Sequence, residues 1–361
     1  YVAAFLHDIG KGRREDHSKV GARIARELCP RMGLTNSETE TVAWLIEEHL
    51  TMSNISQRRD LADPRTIRDF ANKVKSIDRL NLLLLLTVAD IRAVGPGTWN
   101  GWKGQLLRTL YNETELLLTG GHTREDRRDR VQKAQQALAE ALRAKGWDKA
   151  SIDATLGRFF DDYWLRFETD AHLEHALFMR RAHENNERLA VAHKTDAFTA
   201  VTELTILAPN HARLLSLFAG ACLSVGADIV GAHITTTRDG LALDTFLLQR
   251  EFEDDADEER RARRIRELIE RYLKGEARVQ KVLADRRSEH RVEAFSVSPR
   301  ANVNNELSDH YTVIEVAGRD RPGLLYELTS ELSDLSLDIS SAHIATFGEK
   351  VIDVFYVTDL T

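Results

Sequence analysis

Apolar residues recur at helical spacing through residues 1–188, and no part of this stretch alternates in the manner of a strand. Helix-capping residues at Asp63-Pro64, Ser76 and Thr123 mark places where helices begin. The pattern therefore predicts an all-α region over the first half of the chain.

Beyond residue 198 the apolar period changes from helical to alternating. TELTILAP predicts a strand, HARLLSLFAGACLSVG a helix, and ADIVGAHITTT and LALDTFLLQ two further strands. The same order returns from Tyr311, and GADIVGAHI matches SLDISSAHI. Two α+β repeats of the ferredoxin-like class are therefore expected.

The first repeat is followed by a charged stretch, Glu251 to Lys274, in which both signs occur at helical spacing. Alternating charge favours a solvated helix over a nucleic-acid patch. We expect this helix and a strand after it to complete the first repeat, whereas the second repeat breaks off before its own last helix and strand.

Composition limits the possible functions. The chain has 361 residues, 42% of them hydrophobic, which is enough for two to three domains. Its formal net charge of −7 argues against nonspecific nucleic-acid binding, because that activity requires a surplus of Lys and Arg.

Cysteine content and hydropathy bear on the cellular compartment. Cys29 and Cys222 both lie in apolar helical patterns, which predicts buried free thiols in a reducing compartment and so a cytoplasmic protein. The longest apolar run, Leu80 to Ala89, is too short for the roughly 20 residues of a membrane span, and no signal peptide is visible.

The strongest chemical signal is HDIGKG, which begins at His7 at the end of an apolar helix. His7 and Asp8 offer one nitrogen and one oxygen ligand, a mixed set that suits a divalent metal able to activate water. Gly10 and Gly12 permit a sharp turn, and Lys11 adds a cation. An ordinary helix end with a capping Asp is the plain alternative.

Three more candidate ligands lie at the edges of apolar helical stretches: His17, His49 and Asp90. Asp90 follows a Leu-rich run, where an ionised carboxylate is costly to bury unless a metal or a cation pairs with it. Taken singly, His17 and His49 are equally well explained as surface or satisfied core histidines. Together with His7 and Asp8, the three form a plausible ligand set.

Three strings carry a family resemblance: FLHDIGKGRREDHSKVGARIA, RRDLADPRTIRDFA and LTVADIRAVGPGTWNGWKGQLLRTLY. In their residues and in their order along the chain, these strings resemble the family of bifunctional PII uridylyltransferase/uridylyl-removing enzymes. The resemblance implies an HD-type phosphohydrolase that cleaves the phosphodiester between UMP and a tyrosine of the PII signal protein. It also implies a transferase domain and a further ligand His one helix before His7, both located before Tyr1.

Mg, Mn and Fe all accept mixed His and carboxylate ligands, and Mg or Mn is the expected divalent metal. His7, Asp8 and Asp90 are then expected to hold a first ion, and His17 and His49 to help hold a second. Asp8 and Lys11 are expected to act in catalysis, with Lys11 stabilising charge on the phosphoryl oxygens.

The second repeat contains GRDRPGLLYEL, which places Asp320, Arg321, Pro322 and Gly323 at the turn into a helix. Exposed N–H groups at such a turn can meet a ligand carboxylate, and the string is similar to the turn of ACT domains.

The first repeat has APNHARLLSLF at the matching place, where Asn210 and His211 are candidates for the same role or form a plain helix cap. By analogy with the family, these turns are expected to bind glutamine as the effector of uridylyl removal.

These inferences give the expected domain organisation. Residues 1–120 are expected to form an HD domain that lacks its beginning, and 121–198 a helical extension and linker. Residues 199–304 are expected to form one ACT domain, and 311–361 a second that lacks its end. Uridylylated PII is the expected partner, with neither nucleic acid nor membrane.

Two rival functions stay open. One is an HD hydrolase of free nucleotides such as (p)ppGpp, since those proteins also end in an ACT domain. The other is a noncatalytic amino-acid-binding module in which the HD domain is only a scaffold.

For Arg92 and the stretch 99–102, packing is preferred over a substrate-facing loop.

Overall fold

A computed structural model gives the fold of the chain, which divides into two compact units, Tyr1–His122 and Thr123–Thr361. The structure describes residues 1–95, 98–99, 101–119, 124–196, 201–211, 213–252, 254–277, 279, 298–347 and 350–359.

The described part of the first unit is helical, as the sequence predicted. Asp63 caps α5 by accepting from the Arg65 amide with Pro64 in the first turn, and Ser76 caps α6 in the same way through Arg79. The helices are α1 Val2–Leu6, α2 His17–Arg31, α3 Asn36–Glu48, α4 Thr51–Arg58, α5 Pro64–Val74, α6 Ile77–Ala93 and α7 Gly101–Leu118.

The apolar faces of these helices enclose one core. Its fully buried side chains include Ile46, Met52, Phe70, Leu80 and Leu107. Burial of such side chains contributes about 1.5–3 kcal/mol each, so this core fixes the helix ends that carry the candidate ligands.

The second unit begins with four helices and a strand: α8 Arg124–Ala144, α9 Lys149–Leu156, α10 Asp161–Arg166, α11 Thr169–Glu184 and β1 Ala190–Asp196. Their core centres on Trp164, Leu138 and Phe178, and it includes Leu207 and Leu243 from the sheet. The helices therefore pack against the part of the sheet that carries Leu207 and Leu243.

The rest of the second unit builds one antiparallel sheet in the order β1-β2-β4-β3-β7-β8-β6-β5. The remaining strands are β2 Val201–Pro209, β3 Ile229–His233, β4 Leu241–Gln249, β5 Arg300–Asn304, β6 Thr312–Arg319, β7 Leu337–Phe347 and β8 Lys350–Asp359. The remaining helices are α12 Leu214–Ser224, α13 Asp255–Leu273 and α14 Leu324–Asp334.

Two strand-helix-strand-strand repeats make up this sheet, β2-α12-β3-β4 and β6-α14-β7-β8. They join where β3 pairs with β7, at Gly231 with His343, Ala232 with Ala342 and His233 with Ser341. We call this pairing the seam. The helices of both repeats share one core on the same face of the sheet, so the predicted internal repeat forms a continuous structure.

Two details differ from the sequence prediction. The segment expected to be a helical extension and linker ends in a strand, β1, which pairs with β2. The strand that follows α13 was expected to complete the first repeat, and this prediction was wrong, because β5 pairs with β6 of the second repeat. Both are edge strands, with polar residues at too many positions for an apolar alternation to reveal them.

The charged stretch after β4 is helical, as predicted. Helix α13 turns Ile265, Ile269 and Tyr272 inward and most of its charges outward. Cys29 and Cys222 are buried free thiols, also as predicted. Within the part of the chain that the structure describes, no helix combines the length and the apolar character needed to cross a membrane.

Candidate metal centre and effector turns

His7 and Asp8 leave the end of α1 and enter a tight turn towards α2. A Cβ at Gly10 would lie only 2.1 Å from the His17 carbonyl oxygen, so a glycine is needed for the two segments to approach. Gly12 adopts φ of 85°, which favours glycine as well. The two glycines of HDIGKG thus bring the His-Asp pair against the start of α2.

Helix ends place the other candidates. His17 is the first residue of α2, whose cap is Asp16. His49 is the C-cap of α3, and Asp90 lies in the last turn of α6. The packed helices therefore each place one polar side chain near the His7-Asp8 pair.

Short distances between ligand atoms connect all five predicted ligand residues, with His7, His17 and His49 near Asp8 and Asp90 near His7. Asp8 Oδ2 lies 3.4 Å from His7 Nε2, which is itself 3.3 Å from Asp90 Oδ1. Asp8 Oδ1 lies 3.9 Å from His17 Nε2 and 4.0 Å from His49 Nε2. Each oxygen of Asp8 therefore faces a different group of ligand atoms.

Backbone carbonyls orient two of the histidines. His7 Nδ1 donates to the Ala4 carbonyl at 2.8 Å, and His49 Nδ1 donates to the Ile46 carbonyl at 2.7 Å. With Nδ1 bound to a backbone carbonyl, Nε2 of each ring faces the carboxylates. This is the orientation that a metal-binding histidine requires.

The environment of the site lowers the pKa of both His49 and Asp8. Burial is the main cause that lowers the pKa of His49, whose side chain is 1% exposed. Burial by itself would raise the pKa of Asp8, but the Lys11 hydrogen bond and the charges of His7, Lys11 and His49 outweigh it and leave the pKa below its ordinary value.

The donor set fits a divalent metal. One ligand atom each from Asp8, His17 and His49 lie within 4.8 Å of one another. Ligand atoms at about 2.1 Å from an ion are roughly 3 Å apart at right angles, so small adjustments suffice. Mixed imidazole and carboxylate donors are accepted by several divalent metals, Mg and Mn among those that favour oxygen.

Lys11 lies beside this group, as expected, but its ammonium already has a partner. Its Nζ donates to Asp8 Oδ2 at 2.5 Å, and the side chain is 64% exposed. The role predicted for Lys11 on phosphoryl oxygens stays a prediction.

Sequence reasoning missed two neighbours of the ligands. Glu48, which precedes His49, accepts from Lys73 Nζ of α5 at 3.0 Å and ties the end of α3 in place. Thr87, one turn before Asp90, is buried, and its hydroxyl has no hydrogen-bond partner among the described residues. Neither shows a motif in the sequence, because each is defined only by its spatial neighbours.

The tryptophan-containing stretch after α6 behaves as the packing interpretation predicted. Trp99 packs against the core of the first unit, and its ring would be 3.0 Å from a Cβ at Gly104. Arg92 is exposed. Asn100 lies outside the described residues.

The predicted effector turns occupy equivalent places in the two repeats. Asp320 to Gly323 connect β6 to α14, and Gly323 forms the N-cap with φ of 85°. The Arg321 guanidinium forms an ion pair with Glu327 in the first turn of α14. The exposed turn therefore combines a glycine in the left-handed region with a fixed cation.

The first-repeat turn is more fully occupied by its own contacts. Asn210 Nδ2 donates to Thr236 Oγ1 at 3.3 Å, and His211 Nδ1 accepts from the Arg213 amide at 3.1 Å. Neither contact caps α12, whose N-cap is Arg213 without a side-chain cap hydrogen bond, so the helix-cap interpretation of the pair was wrong.

Comparison with known proteins identifies two domain families in the chain. The HD domain family matches residues 1–90, a range that includes all five ligand candidates and Lys11. The ACR family N-terminal ACT domain matches residues 307–361, which include the Asp320 turn. No solved structure matches the chain. The chain thus combines an HD domain in a helical region with an ACT domain in an antiparallel sheet.

Proposed function

We propose that the HD domain removes UMP from the PII signal protein by hydrolysing the phosphodiester on its modified tyrosine, with Mg or Mn as the metal. The observation that supports a metal-dependent hydrolase is the convergence of His7, His17 and His49 on Asp8, with Asp90 against His7. The three sequence strings quoted above support the uridylyl substrate.

His7, Asp8 and Asp90 would hold one ion, and His17 and His49 would share a second with Asp8. Such ions, when bound, activate water and neutralise phosphoryl charge. The two oxygens of Asp8 face the two groups of ligands separately, and that geometry supports a shared carboxylate.

The chain's own residues prepare the site in three ways. Ala4 and Ile46 fix the histidine rings through their carbonyls. Lys11 keeps Asp8 ionised and supplies a cation next to the substrate phosphate. Asp8 and His17 stay 34% and 29% exposed, so an ester on another protein's surface can reach them.

Glutamine is the proposed effector, bound at the Asp320 turn. The ACT match and the exposed Gly323 turn support an amino-acid site there, because free N–H groups at a helix start bind carboxylates. Glutamine must then favour the active arrangement of the HD domain by a coupling free energy. We also place the protein in the cytoplasm, where buried free thiols such as Cys29 and Cys222 persist.

Release of UMP from uridylylated PII tests the proposal. We would measure it with Mn or Mg, with and without glutamine, for wild type, Asp8→Ala and the control Asp69→Ala, whose carboxylate is 58% exposed on α5. Glutamine-stimulated release that Asp8→Ala abolishes and Asp69→Ala retains is the expected result.

Two other outcomes would replace the proposal. Hydrolysis of (p)ppGpp without UMP release would assign the site to free nucleotides. Glutamine binding with no hydrolysis of either substrate would leave an amino-acid-binding module.

A further inference from the structure

The short helix α10 contacts both repeats of the sheet where they meet. On the first-repeat side, Arg166 Nη1 donates to the Ile234 carbonyl at 3.3 Å, directly after β3. On the second-repeat side, the Tyr311 hydroxyl donates to Asp162 Oδ2 at 2.9 Å, directly before β6. One helical turn therefore links the two halves of the sheet.

The connection on the first-repeat side continues into the sheet itself. The Ile234 amide donates to the Ser340 carbonyl at 3.2 Å across the seam. Ser340 is the residue at which the pairing of β7 with β8 shifts register. Hydrogen bonds thus connect α10 through Ile234 to Ser340 of β7.

The Tyr311 contact has no counterpart in the first repeat. When the repeats are aligned through GADIVGAHI and SLDISSAHI, Val201 takes the place of Tyr311. Valine has no hydroxyl to donate. The asymmetry means that α10 is fixed to the second repeat by a side chain and to the first by a backbone carbonyl.

Helix α10 is also anchored in the helices that precede it. Tyr163 stacks on Phe159 with ring centroids 3.7 Å apart, and its hydroxyl hydrogen-bonds to His175 Nδ1 of α11 at 3.1 Å. The same helix packs on α8, which is the first described helix after the HD unit in the chain. Helix α10 therefore contacts the first described helix after the HD unit in the chain.

We propose that α10 transmits the state of the seam to the HD domain and that the Asp162–Tyr311 hydrogen bond is the contact that carries this regulation. The proposal rests on the function proposed above and adds how its two sites communicate. The seam contains three residue pairs. An effector bound at a repeat turn would therefore have to shift few strand-pairing hydrogen bonds. Coupling then requires that α10 stay attached to both repeats while the seam changes.

Removing the hydroxyl tests the contact with little change in packing. In Tyr311→Phe and in Asp162→Ala, basal UMP release should stay within about twofold of wild type, and glutamine should still bind. Glutamine stimulation should fall about threefold or more, the size expected when one hydrogen bond is lost. The double variant should lose less than the sum of the two single losses, because both changes break the same bond.

Tyr272→Phe is the matched control. Its hydroxyl hydrogen-bonds to Ser224 Oγ at 2.7 Å. This contact lies on the face of the sheet that α12 and α13 cover, away from α10. It should keep full glutamine stimulation. Unchanged stimulation in both Tyr311→Phe and Asp162→Ala would overturn the proposal.

Amide hydrogen exchange separates this inference from the proposed effector. Without any ligand, Tyr311→Phe should speed exchange in α10 and in α8 relative to wild type and to Tyr272→Phe. If exchange in both helices stays unchanged, α10 is not held by this bond and the inference fails, whether or not glutamine proves to be the effector. Faster exchange in Tyr311→Phe, together with UMP release by wild type that does not respond to glutamine, would instead support the role of α10 and refute glutamine as the effector.

Discussion

His7 Nε2 lies 3.3 Å from Asp90 Oδ1, although His7 ends α1 and Asp90 lies in the last turn of α6. Packing of α1 against α6 brings the two side chains together, with Leu6 and Ile91 buried next to them. The pair shows how the first unit uses a helical core to assemble ligands from distant parts of the sequence.

Asp90→Asn should reduce the affinity for Mn by about 100-fold or more, because an amide replaces an anionic ligand. Asp78→Asn in the first turn of the same helix is the control, since Asp78 is exposed. Calorimetric titration of Mn measures both. An Asp90→Asn affinity within threefold of wild type would remove Asp90 from the ligand set.

Gly10→Ala should destabilise the first unit severely, because its Cβ would lie 2.1 Å from the His17 carbonyl oxygen. Gly12→Ala is the matched control, with open space around the new Cβ and only the strain of φ at 85°. That strain costs roughly 1–2 kcal/mol. Urea unfolding compares the two, and equal losses of stability would show that the Gly10 approach is relaxed in solution.

Asp244→Asn should make the opening of β4 less dependent on pH. Burial is the main cause that raises the pKa of Asp244 to about 8, with Asp338 adding to it and the Thr235 amide opposing it. A raised pKa means that the folded state holds the proton more tightly, so this contribution to stability is full below about pH 4 and is lost as the pH rises towards 8.

The slope from one such group is at most about 1.4 kcal/mol per pH unit. Amide hydrogen exchange in β4, corrected for its intrinsic pH dependence, measures the difference between wild type and variant. If the opening of β4 depends on pH equally in wild type and in Asp244→Asn, Asp244 is ionised in the folded protein.

Asp320→Ala should weaken glutamine binding about tenfold, and Asn210→Ala should change it little. The second-repeat turn has an exposed Asp320 next to the left-handed Gly323, whereas Asn210 is already bonded to Thr236. Calorimetry with glutamine compares the two variants. A larger loss for Asn210→Ala would move the effector site to the first repeat.

Much of the architecture was predictable from the sequence because it depends on periodicity. The helical first unit follows from apolar spacing of 3.6 residues, and the repeat follows from the match of two strand-helix-strand-strand segments. The ligand candidates were also visible, since HDIGKG and the carboxylate after a Leu-rich run are unusual chemical settings for a core.

What the sequence could not supply was pairing in space. The sequence does not show that β5 leaves the first repeat and joins the second, because edge strands carry too little apolar pattern to specify a neighbour. The orientation of His7 and His49 by the Ala4 and Ile46 carbonyls was equally hidden, since backbone acceptors are the same at every residue.

The pairing of β5 with β6 also bears on how the second repeat resists self-association. Strand β6 would otherwise expose a row of unpaired amides and carbonyls along Thr312–Arg319, and open edges of this kind promote aggregation. The cover is supplied by residues 300–304, which precede the repeat in sequence. A fragment cut just before Tyr311 would lose that cover and should form intermolecular sheet, so a useful ACT fragment must begin before Arg300.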